Sequence, residues 1–461
     1  MITVTDLFAG AGGSSQGIRH VPGVRVAVAA NHWDLAVAVH RSNFPDALHR
    51  CEDIAKADFK AYPRTDLLWA SPECTRWSNA SGARAESAQL DLFGEKLPDE
   101  AAERSRATMW DVPRYLEAMI YRGRPVWGGV TENVVQVARG LLFGAWLQAL
   151  TDLGYDYEII YLNSMFARSA RSLHAPQSRD RIYIAYWRRG SLTLRDGGRR
   201  PVSRPLWEKW LRPDAICPDH GRVHAVQTWK KNPQRPWGRY LQQYVYTCPR
   251  PGCSRPLAPW ALAAAEAIDW NNLGTPIGDR PQPLTARTLA RIHAGLAGTG
   301  SHHHPAATLD GSDTDDARVA EGPEHAILVP SGGSWQDTAR PVALPMRTRT
   351  ASESEALLIP YYRTGKAHSV RNPTGTVTTV DRNGLLIPPP GRPIDIDACL
   401  YRMLTADEIR RAMGFDATYT LQGIHRARVR MLGNAVTPCT AEILVSCLVE
   451  ALTGETYDLA A

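Results

Sequence analysis

The sequence predicts an α/β protein whose helix-wrapped sheet is interrupted by an inserted, irregular β-rich module. Up to residue 189, short apolar runs alternate with helical patterns, which is typical of a sheet covered by helices. From 190 to 395 the chain is rich in Arg, Pro, Trp and Thr, and helical pattern resumes from 396 to 461. We therefore expect one α/β core formed by both ends of the chain, with a second domain between them.

Short apolar runs of strand length precede and follow helical patterns in the first part. The predicted strands are Ile2–Phe8, Arg25–Ala30, Asp66–Ala70, Val126–Val130, Tyr157–Asn163 and Arg181–Trp187. Helical spacing predicts a helix over Leu141–Leu153 and another over Leu404–Met413, where Thr405 and Glu408 have the spacing of a capping box. The final helix, near Pro438–Leu452, is apolar on most faces and should be buried.

The middle region contains a weak internal repeat of a short strand followed by proline. Its copies are Ala326–Pro330, Ala356–Pro360 and Leu385–Pro388, which indicate a small β-rich module. Sustained helix is expected only around Ala258–Ala267. The histidine triplet 302–304 lies in a polar, acidic stretch and is interpreted as a loop in preference to a metal site.

Composition is that of a globular protein of 461 residues, with 44% hydrophobic and 22% charged residues. No apolar run approaches the length of a membrane span, and the N-terminus lacks a signal-peptide pattern, so we expect a cytoplasmic protein. Eight cysteines in this length do not suggest a disulfide scaffold. Thiols are therefore expected to be catalytic, metal-bound or buried.

Positive charge is concentrated between Arg188 and Arg255, with 15 Lys/Arg against 4 Asp/Glu, although the net charge is only +6. Seven aromatic residues interleave with these charges: Trp207, Trp210, Trp229, Trp237, Tyr240, Tyr244 and Tyr246. Cations neutralise phosphates, and flat rings pack on sugars or bases, so the region is a candidate nucleic-acid surface. A solvated arginine-rich surface is the alternative.

A glycine-rich turn, Asp6–Gly13, follows the first strand and precedes a helix that Ser14 could cap. Glycines let the backbone approach a ligand closely, as nucleotide, dinucleotide and sulfonium cofactors require. Asp53 and Ile54 could offer a carboxylate and an apolar contact to an adenine, and Trp33 could stack on that ring. Taken separately, each of these three residues is more often ordinary surface or core than a cofactor contact.

Cys74 follows the strand Asp66–Ala70, at the sheet edge where α/β enzymes place reactive groups. A buried, inert thiol is the competing interpretation. Glu132 would serve as a protonated donor to a ring nitrogen. The segment Gln177–Arg181 supplies guanidinium groups, from Arg179 and Arg181, that could hold a base carbonyl and assist a thiolate.

These motifs, in this order, resemble those of the DNA (cytosine-5) methyltransferase family, from residue 3 to about 190 and from about 400 to 450. The cofactor motif corresponds to Asp6–Gly13, the nucleophile motif to the segment around Cys74, the acid motif to Glu132–Val134 and the arginine motif to Gln177–Arg181. Arg402–Phe415 resembles the motif after the recognition region, and Leu432–Pro438 resembles the last motif, which packs beside the first.

The resemblance implies a Rossmann-like domain that uses S-adenosylmethionine, with a target-recognition domain inserted at 190–395. Cys74 would add to C6 of a flipped cytosine, Glu132 would stabilise the N3-protonated adduct, and C5 would accept the methyl group. The implied cofactor-binding residues are Asp6, Phe8, Ala9, Gly10, Gly12, Gly13, Trp33, Asp53, Ile54, Asn434 and Val436. The implied partner is double-stranded DNA, bound by a monomer in a bacterial or phage-infected cell.

The chain departs from the family pattern at several positions. Glu73 and Thr75 stand where family members usually have proline and glutamine beside the cysteine. His32 stands where an acidic residue usually holds the cofactor's ribose, and Asp416 where proline often follows Gly-Phe. A carboxylate beside a thiol should disfavour the thiolate unless that carboxylate is paired.

Two ligand pairs, Cys217 with His220 and Cys248 with Cys253, are separated by 27 residues in the basic region. Their spacing suits a tetrahedral structural zinc, which we expect to support a DNA-facing loop region that lacks apolar residues for a core. Four unrelated thiol and imidazole groups are the alternative. This prediction depends on spacing alone and not on the family resemblance.

The function predicted from sequence is therefore methyl transfer to C5 of cytosine in duplex DNA, in a restriction-modification system or a phage. The same chemistry on RNA is the nearest alternative. A catalytically inactive DNA-binding homologue is another, because the neighbours of Cys74 are replaced. A nicotinamide oxidoreductase has only the glycine-rich turn in its favour.

Overall fold

The structure is a computed structural model of the 461-residue chain. It describes residues 1–73, 108–193, 197–231, 233–234, 236–284, 286, 288–290, 292, 327–328, 368–369, 384–387, 396–397 and 399–458. Cys74, the repeat copy at 356–360 and the histidine triplet 302–304 lie outside these residues.

A central sheet and the helices that cover it form the core. Its strands are β1 (Ile2–Leu7), β2 (Val24–Asn31), β3 (Leu48–Cys51), β4 (Leu67–Ala70), β5 (Gly128–Asn133), β6 (Tyr155–Asn163) and β7 (Asp180–Arg188). The accompanying helices are α1 (Gly13–His20), α2 (Asp34–Asn43), α3 (Asp111–Tyr121) and α4 (Phe143–Asp152). Strands β4 and β5 are buried along their whole length, as expected for a sheet covered on both faces.

The strand order is β3-β2-β1-β4-β5-β7-β6, and only β7 runs against its neighbours in this sheet. Because β7 is reversed, its first residue lies at the edge where the other strands end: Asp180 pairs with Asn163, and Ile182 with Asn133. The order changes direction between β1 and β4, where ligands bind in open α/β sheets. The predicted α/β architecture is confirmed.

All six predicted strands are present, with shifts at their ends. The largest shift is in β5, predicted over Val126–Val130 and observed over Gly128–Asn133. Strand β3 was not predicted, because Leu48–Cys51 is mostly polar and short. The predicted helix over Leu141–Leu153 is observed as α4.

The C-terminal part returns to the core as α6 (Ala406–Ala412), α7 (His425–Asn434) and α8 (Pro438–Thr453). The capping box predicted for α6 is present, with Thr405 and Glu408 bonded reciprocally. Helix α8 is almost entirely buried and packs against α1.

The stretch His425–Thr453 is long and apolar enough to cross a membrane by length and composition, but 94% of its most apolar window is buried inside the protein. The prediction that no apolar run reaches this length was therefore wrong. Such extensive burial is typical of a helix in the core of a globular protein.

Small antiparallel sheets follow the central sheet. They comprise β8 (Ser191–Thr193) with β9 (Arg199–Pro201), β10 (Asp214–Cys217) with β11 (Gly221–His224), and β12 (Val226–Trp229) with β13 (Tyr244–Thr247) and β14 (Pro256–Leu257). Helix α5 (Trp207–Leu211) lies between them in sequence. We call residues 214–257 the Cys/His ribbon.

The Cys/His ribbon has an apolar core, contrary to the prediction that this region lacks the residues for one. Tyr240, Tyr244 and Tyr246 are buried and belong to the same hydrophobic cluster as side chains of the central sheet. Phe166, which follows β6, meets the rings of Tyr240 and Tyr246 edge-on at centroid distances of 4.8 and 5.2 Å. The aromatic residues attributed to nucleic-acid contact therefore serve, in these cases, to dock the ribbon.

A further five-stranded sheet contains β15 (Thr275–Pro276), β16 (Ile327–Leu328), β17 (His368–Ser369), β18 (Gly384–Ile387) and β19 (Leu400–Met403). Two copies of the predicted repeat lie in it, since Ile327 pairs with Leu386. Around Ala258–Ala267 the structure has only a 3₁₀ turn, Ala264–Ala267, so the predicted longer helix was wrong. The domain boundaries at 189/190 and 395/396 stay predictions.

Candidate active site

The glycine-rich turn joins β1 to α1 through a series of left-handed residues. Phe8, Gly10 and Gly12 have φ of 60°, 53° and 92°. A Cβ on Gly12 would lie 2.5 Å from the Tyr419 hydroxyl, and one on Gly13 would lie 2.1 Å from the Val436 carbonyl oxygen. A Cβ on Gly10 would meet no described atom within 4 Å. Among the described residues, the turn is therefore packed tightly at Gly12 and Gly13 but not at Gly10, as a ligand cradle requires.

Asp6 lies beneath this turn and is fully buried. Its Oδ2 accepts hydrogen bonds of 2.6 Å from both Ser14 and Ser15. The prediction that Ser14 caps α1 was therefore wrong. The N-cap residue is Gly12, which has no side chain to cap the helix. Burial raises the pKa of Asp6 to about 7, although both serine hydrogen bonds lower it. This geometry supports a role in holding the turn.

A polar chain continues from Asp6 toward β3. The Ser15 hydroxyl lies 2.9 Å from Nε2 of His40, whose Nδ1 lies 2.9 Å from Nε2 of His49. Burial lowers the pKa of His40 to about 3, so this imidazole is neutral. Among the described residues, Oδ1 of Asp6 and both polar atoms of the Gln16 side chain are buried without a hydrogen-bond partner.

The other predicted cofactor contacts at this edge differ in their surroundings. Ala9 is buried and bonded to the Ala30 carbonyl. Trp33 is partly buried, with the Arg430 guanidinium 4.7 Å from its ring centroid. Asp53 caps a 3₁₀ turn by accepting from the Ala55 amide.

That turn begins at Ile54, which is already buried by protein atoms. Of the C-terminal pair, Asn434 is exposed, whereas Val436 is buried against Gly13. The structure thus brings the first and last motifs into contact.

Glu132 and Arg181 form an ion pair at the carboxyl edge of the sheet. Nε of Arg181 lies 3.0 Å from Oε1 of Glu132, and their side chains are only 12% and 10% exposed. Arg181 Nη1 also donates to the Asp180 carbonyl at 2.9 Å. The two predicted catalytic groups are therefore adjacent and oriented by neighbouring backbone.

Arg179 bonds to the last motif. It is almost fully buried, and its Nη2 donates to the Gly433 carbonyl at 2.9 Å. Asn163 accepts from the Arg179 amide at 2.9 Å. This geometry supports a role in joining the arginine motif to the last motif.

The loop that leads to Cys74 is described as far as Glu73. Asn133 Nδ2 donates to the Pro72 carbonyl, and Thr108 Oγ1 donates to the Glu73 carbonyl, both at 3.1 Å. The loop is thereby tied to the residue after Glu132. Pro72 and Glu73 therefore lie beside the acid motif, and Cys74, which follows them in sequence, is outside the described residues.

Two of the departures from the family pattern meet in space. Nδ1 of His32, after β2, lies 3.6 Å from Oε1 of Glu73, after β4. Strand β1 lies between these strands, so the pair spans the sheet edge near the glycine turn. Both side chains are about half exposed, at 54% and 51%.

The predicted metal ligands converge. The ligand atoms of Cys217, His220, Cys248 and Cys253 all lie within 4.8 Å of one another. Cys217 Sγ is 3.8 Å from Cys253 Sγ and 3.5 Å from His220 Nδ1, which is 3.7 Å from Cys248 Sγ. This cluster could hold a metal ion.

Residues 2–195 and 327–450 match the family described as C-5 cytosine-specific DNA methylase. These two blocks cover more than half of the chain. The chain belongs to this family. The Cys/His ribbon lies between the two blocks, outside the matched residues.

Type II methyltransferase M1.ScrFI of Lactococcus lactis subsp. cremoris is 29% identical to this methylase over 207 residues, which is 44% of this chain and 46% of that protein. The chain thus spans about half the length of this relative. Among solved structures, S. pombe Dnmt2 methyltransferase has a TM-score of 0.50 at 12% identity, covering 98% of this chain and 100% of that one. A triple mutant of Spodoptera frugiperda DNMT2 has a TM-score of 0.48 at 13% identity, covering 98% and 100%. Likeness at such identities concerns the fold alone.

Sequence reasoning did not single out Asp180, a buried carboxylate beside the Glu132–Arg181 pair. It is buried, and its Oδ1 accepts from the Tyr240 amide at 3.0 Å and the Tyr244 hydroxyl at 3.2 Å. Burial raises the pKa of Asp180 to about 6, although these hydrogen bonds and the nearby arginines lower it. Its position between Arg179 and Arg181 was the available signal, but its partners lie 60 or more residues away.

Proposed function

We propose that this chain is a DNA (cytosine-5) methyltransferase that transfers methyl from S-adenosylmethionine to C5 of a flipped cytosine in a short duplex site. The observation that carries the proposal is the buried Glu132–Arg181 pair, which lies beside the loop leading to Cys74. The glycine turn lies at the same sheet edge. A nucleophile, an acid and a cofactor site at one edge are what this reaction needs.

Cys74 is the proposed nucleophile, which bonds to C6 of the cytosine and raises the electron density at C5. Glu132 holds a proton at N3 of the ring, and Arg181 orients Glu132 and binds the base carbonyl. After methyl transfer, C5 loses its proton to a base and the Cys74–C6 bond breaks. Because the Glu132–Arg181 pair is little exposed, its hydrogen bonds to the base would act in a water-poor site.

The cofactor site is assigned to the glycine turn and its neighbours. S-adenosylmethionine, when bound, supplies an electrophilic methyl group. No atom of the described residues would lie within 4 Å of a Cβ on Gly10, which suits close approach of the backbone to such a ligand. Phe8, Trp33 and Asp53 lie at the same edge and are the proposed side-chain contacts to the cofactor. Asp6 and Val436 support the turn, through the hydrogen bond from Ser14 and the close approach of the Val436 carbonyl to Gly13.

Duplex DNA is the proposed partner because the basic segment 188–255, with 15 Lys/Arg against 4 Asp/Glu, lies almost wholly between the two family blocks. The target-recognition domain is assigned to 190–395, where loops would read base edges while basic residues contact phosphates. We place the protein, as a monomer, in the cytoplasm of a bacterium or phage-infected host.

The direct test is covalent trapping on a duplex containing 5-fluorocytosine, together with methyl incorporation into duplex DNA and tRNA. We expect a denaturant-stable DNA adduct that is absent in Cys74→Ser, and methylation of DNA. Labelling of tRNA alone would favour the RNA enzyme. A folded protein that binds duplex DNA but forms no adduct would instead be an inactive homologue.

We further propose that Cys217, His220, Cys248 and Cys253 bind a structural zinc ion. Zn–S distances near 2.3 Å and a Zn–N distance near 2.0 Å place tetrahedral sulfur pairs about 3.8 Å apart, and sulfur–nitrogen pairs about 3.5 Å apart. The separations of 3.8, 3.5 and 3.7 Å in the cluster match these values. Elemental analysis should find close to one zinc per chain, lost in Cys248→Ser; a metal-free, folded and active protein would contradict the assignment.

A further inference from the structure

Strand β13 connects the Cys/His cluster to the arginine motif. Side chains alternate along a strand, so Tyr244 and Tyr246 face the same side, and Cys248 directly follows the end of the strand at Thr247. All three are buried, at 0%, 1% and 4% exposure. Four residues of strand span about 13 Å. A metal ligand and a neighbour of the active site therefore belong to one short, rigid segment.

At the other end of β13, Tyr244 and the nearby Tyr240 form hydrogen bonds with Asp180. The Tyr244 hydroxyl and the Tyr240 amide both donate to Oδ1 of this carboxylate, at 3.2 and 3.0 Å. The carbonyl of the same residue accepts from Arg181, which pairs with Glu132 at 3.0 Å. The ribbon thus bonds to the residue that positions the Arg181 guanidinium.

The ribbon also contacts the segment after Glu132. Nε1 of Trp237 donates to the Val135 carbonyl at 2.8 Å, and the Arg139 guanidinium lies 3.4 Å from the Trp237 ring centroid. The ribbon therefore contacts the backbone next to both members of the Glu132–Arg181 pair. It reaches Arg181 through Asp180 at the start of β7, and Glu132 through the segment that follows β5.

We propose that the Cys/His ribbon is a metal-dependent brace for the active site, in which Tyr244 and Asp180 are positioning residues for Arg181 and Glu132. Strands of two to four residues have little stability of their own, so a bound metal that cross-links them would keep the ribbon docked. Without the ribbon, the buried Asp180 carboxylate would lose two donors, which is costly inside a protein. The inference rests on the proposed function.

The first test compares Tyr244→Phe with Tyr155→Phe. The Tyr155 hydroxyl is equally buried and donates to the Val126 carbonyl at 2.8 Å, but it lies at the opposite end of the sheet. We expect Tyr244→Phe to lower kcat about 10- to 100-fold with little change in KM for S-adenosylmethionine, because a small displacement of catalytic groups is costly. Tyr155→Phe should lose stability but keep kcat.

The second test uses conservative rescue at Asp180. Asp180→Asn keeps an oxygen that can accept from Tyr240 and Tyr244, whereas Asp180→Ala does not. We expect the asparagine variant to recover most of the kcat that the alanine variant loses. Equal kcat in Tyr244→Phe and wild type, or equal losses in the two Asp180 variants, would overturn the positioning role.

The third test needs no activity. Hydrogen exchange is followed before and after chelation of the purified protein, and after addition of Zn²⁺ or Co²⁺. We expect metal loss to speed exchange in peptides covering 238–248 and 177–183, including the Tyr240 amide, while β1 is unchanged. Co²⁺ should restore protection and show the visible bands of a tetrahedral site.

The outcomes separate this inference from the proposed function. Unchanged exchange at 177–183 on metal loss would refute the brace even if the enzyme is active. A wild-type protein that binds neither S-adenosylmethionine nor DNA would refute the proposed function, while metal-dependent protection at 177–183 would still support the brace.

Discussion

The two ends of the catalytic edge hold their charged groups in different ways. On the β5–β7 side, Glu132 and Arg181 pair at 3.0 Å with their side chains almost completely buried. On the β1–β2 side, His32 and Glu73 pair at 3.6 Å with both side chains about half exposed. Buried, hydrogen-bonded pairs constrain geometry strongly, whereas exposed pairs contribute little to stability.

The β1–β2 side is shaped instead by close backbone packing. A Cβ on Gly13 would clash with the Val436 carbonyl, and one on Gly17 would lie 2.1 Å from the Pro438 carbonyl. Glycine therefore allows α1 to approach the C-terminal segment and α8. Electrostatic pairing thus positions Glu132 and Arg181, the proposed catalytic groups, whereas steric packing shapes the proposed cofactor cradle. Substitutions on the two sides should then alter different measured quantities.

The largest effect is expected for Arg181→Lys. A lysine cannot reproduce the fork with which Arg181 contacts both Glu132 and the Asp180 carbonyl. We expect kcat for methyl transfer to fall about 100- to 1000-fold, the cost typical of losing a preorganised polar contact. Single-turnover methylation of a duplex by the purified variant is the measurement.

Arg188→Lys is the matched control, because Arg188 ends the same strand far from the site. Its guanidinium lies 5.6 Å from the Tyr155 ring centroid and donates to the Leu153 carbonyl. We expect this variant to lose some stability and keep its single-turnover rate. Equal rates for the two variants would remove the contrast between the two sides of the site.

A second, intermediate effect concerns stability on the cofactor side. Burial raises the pKa of Asp6 from 3.8 to about 7, so the folded protein binds a proton more tightly than the unfolded chain. Stability should therefore fall as pH rises from about 4 to 7. Asp6→Asn removes this loss, and we expect it to be more stable than wild type by about 4 kcal/mol at pH 8, with no gain near pH 4.

Urea unfolding from pH 4 to 8 measures this difference. Asp66→Asn is the control, because Asp66 is also buried but accepts from Thr3 and pairs with Arg64. Removing that charge should destabilise the protein where Asp6→Asn stabilises it. A pH-independent difference between Asp6→Asn and wild type would contradict the raised pKa.

The local motifs on both sides could be predicted from sequence, because each follows an apolar strand at a recognisable spacing. Glu132 and Arg181 were placed in one site and are adjacent in the structure. The bounds predicted for β5 were wrong for a steric reason. Gly128 and Gly129 resemble a turn, but a Cβ on Gly129 would lie 2.2 Å from the Leu68 carbonyl, so glycine is needed inside the sheet.

The docking of the Cys/His ribbon could not be predicted from sequence. The spacing of its cysteines and histidine indicates a metal site but says nothing about what the ribbon contacts. Tyr240 and Tyr244 belong to a stretch whose charge suggests an exposed surface, yet they are buried against Asp180. The contact between His32 and Glu73 likewise depends on the order of strands in the sheet and not on any local pattern.

The smallest effect is expected for Glu73→Gln. Glu73 precedes Cys74, and its carboxylate should disfavour the thiolate unless His32 offsets it. We expect Glu73→Gln to raise the alkylation rate of Cys74 at pH 7 by about two- to threefold, the size of an exposed charge interaction. Peptide-resolved mass spectrometry of iodoacetamide labelling measures that rate.

His32→Gln should change the rate in the opposite direction, because it removes the imidazole that contacts the Glu73 carboxylate. Asp34→Asn is the control, since Asp34 is an exposed acid near Trp33 that bonds to the adjacent Leu35 amide. High salt should reduce both effects, because exposed charges are screened. If neither His32→Gln nor Glu73→Gln alters the labelling rate, the pair has no influence on the nucleophile, and the β1–β2 side of the site acts through packing alone.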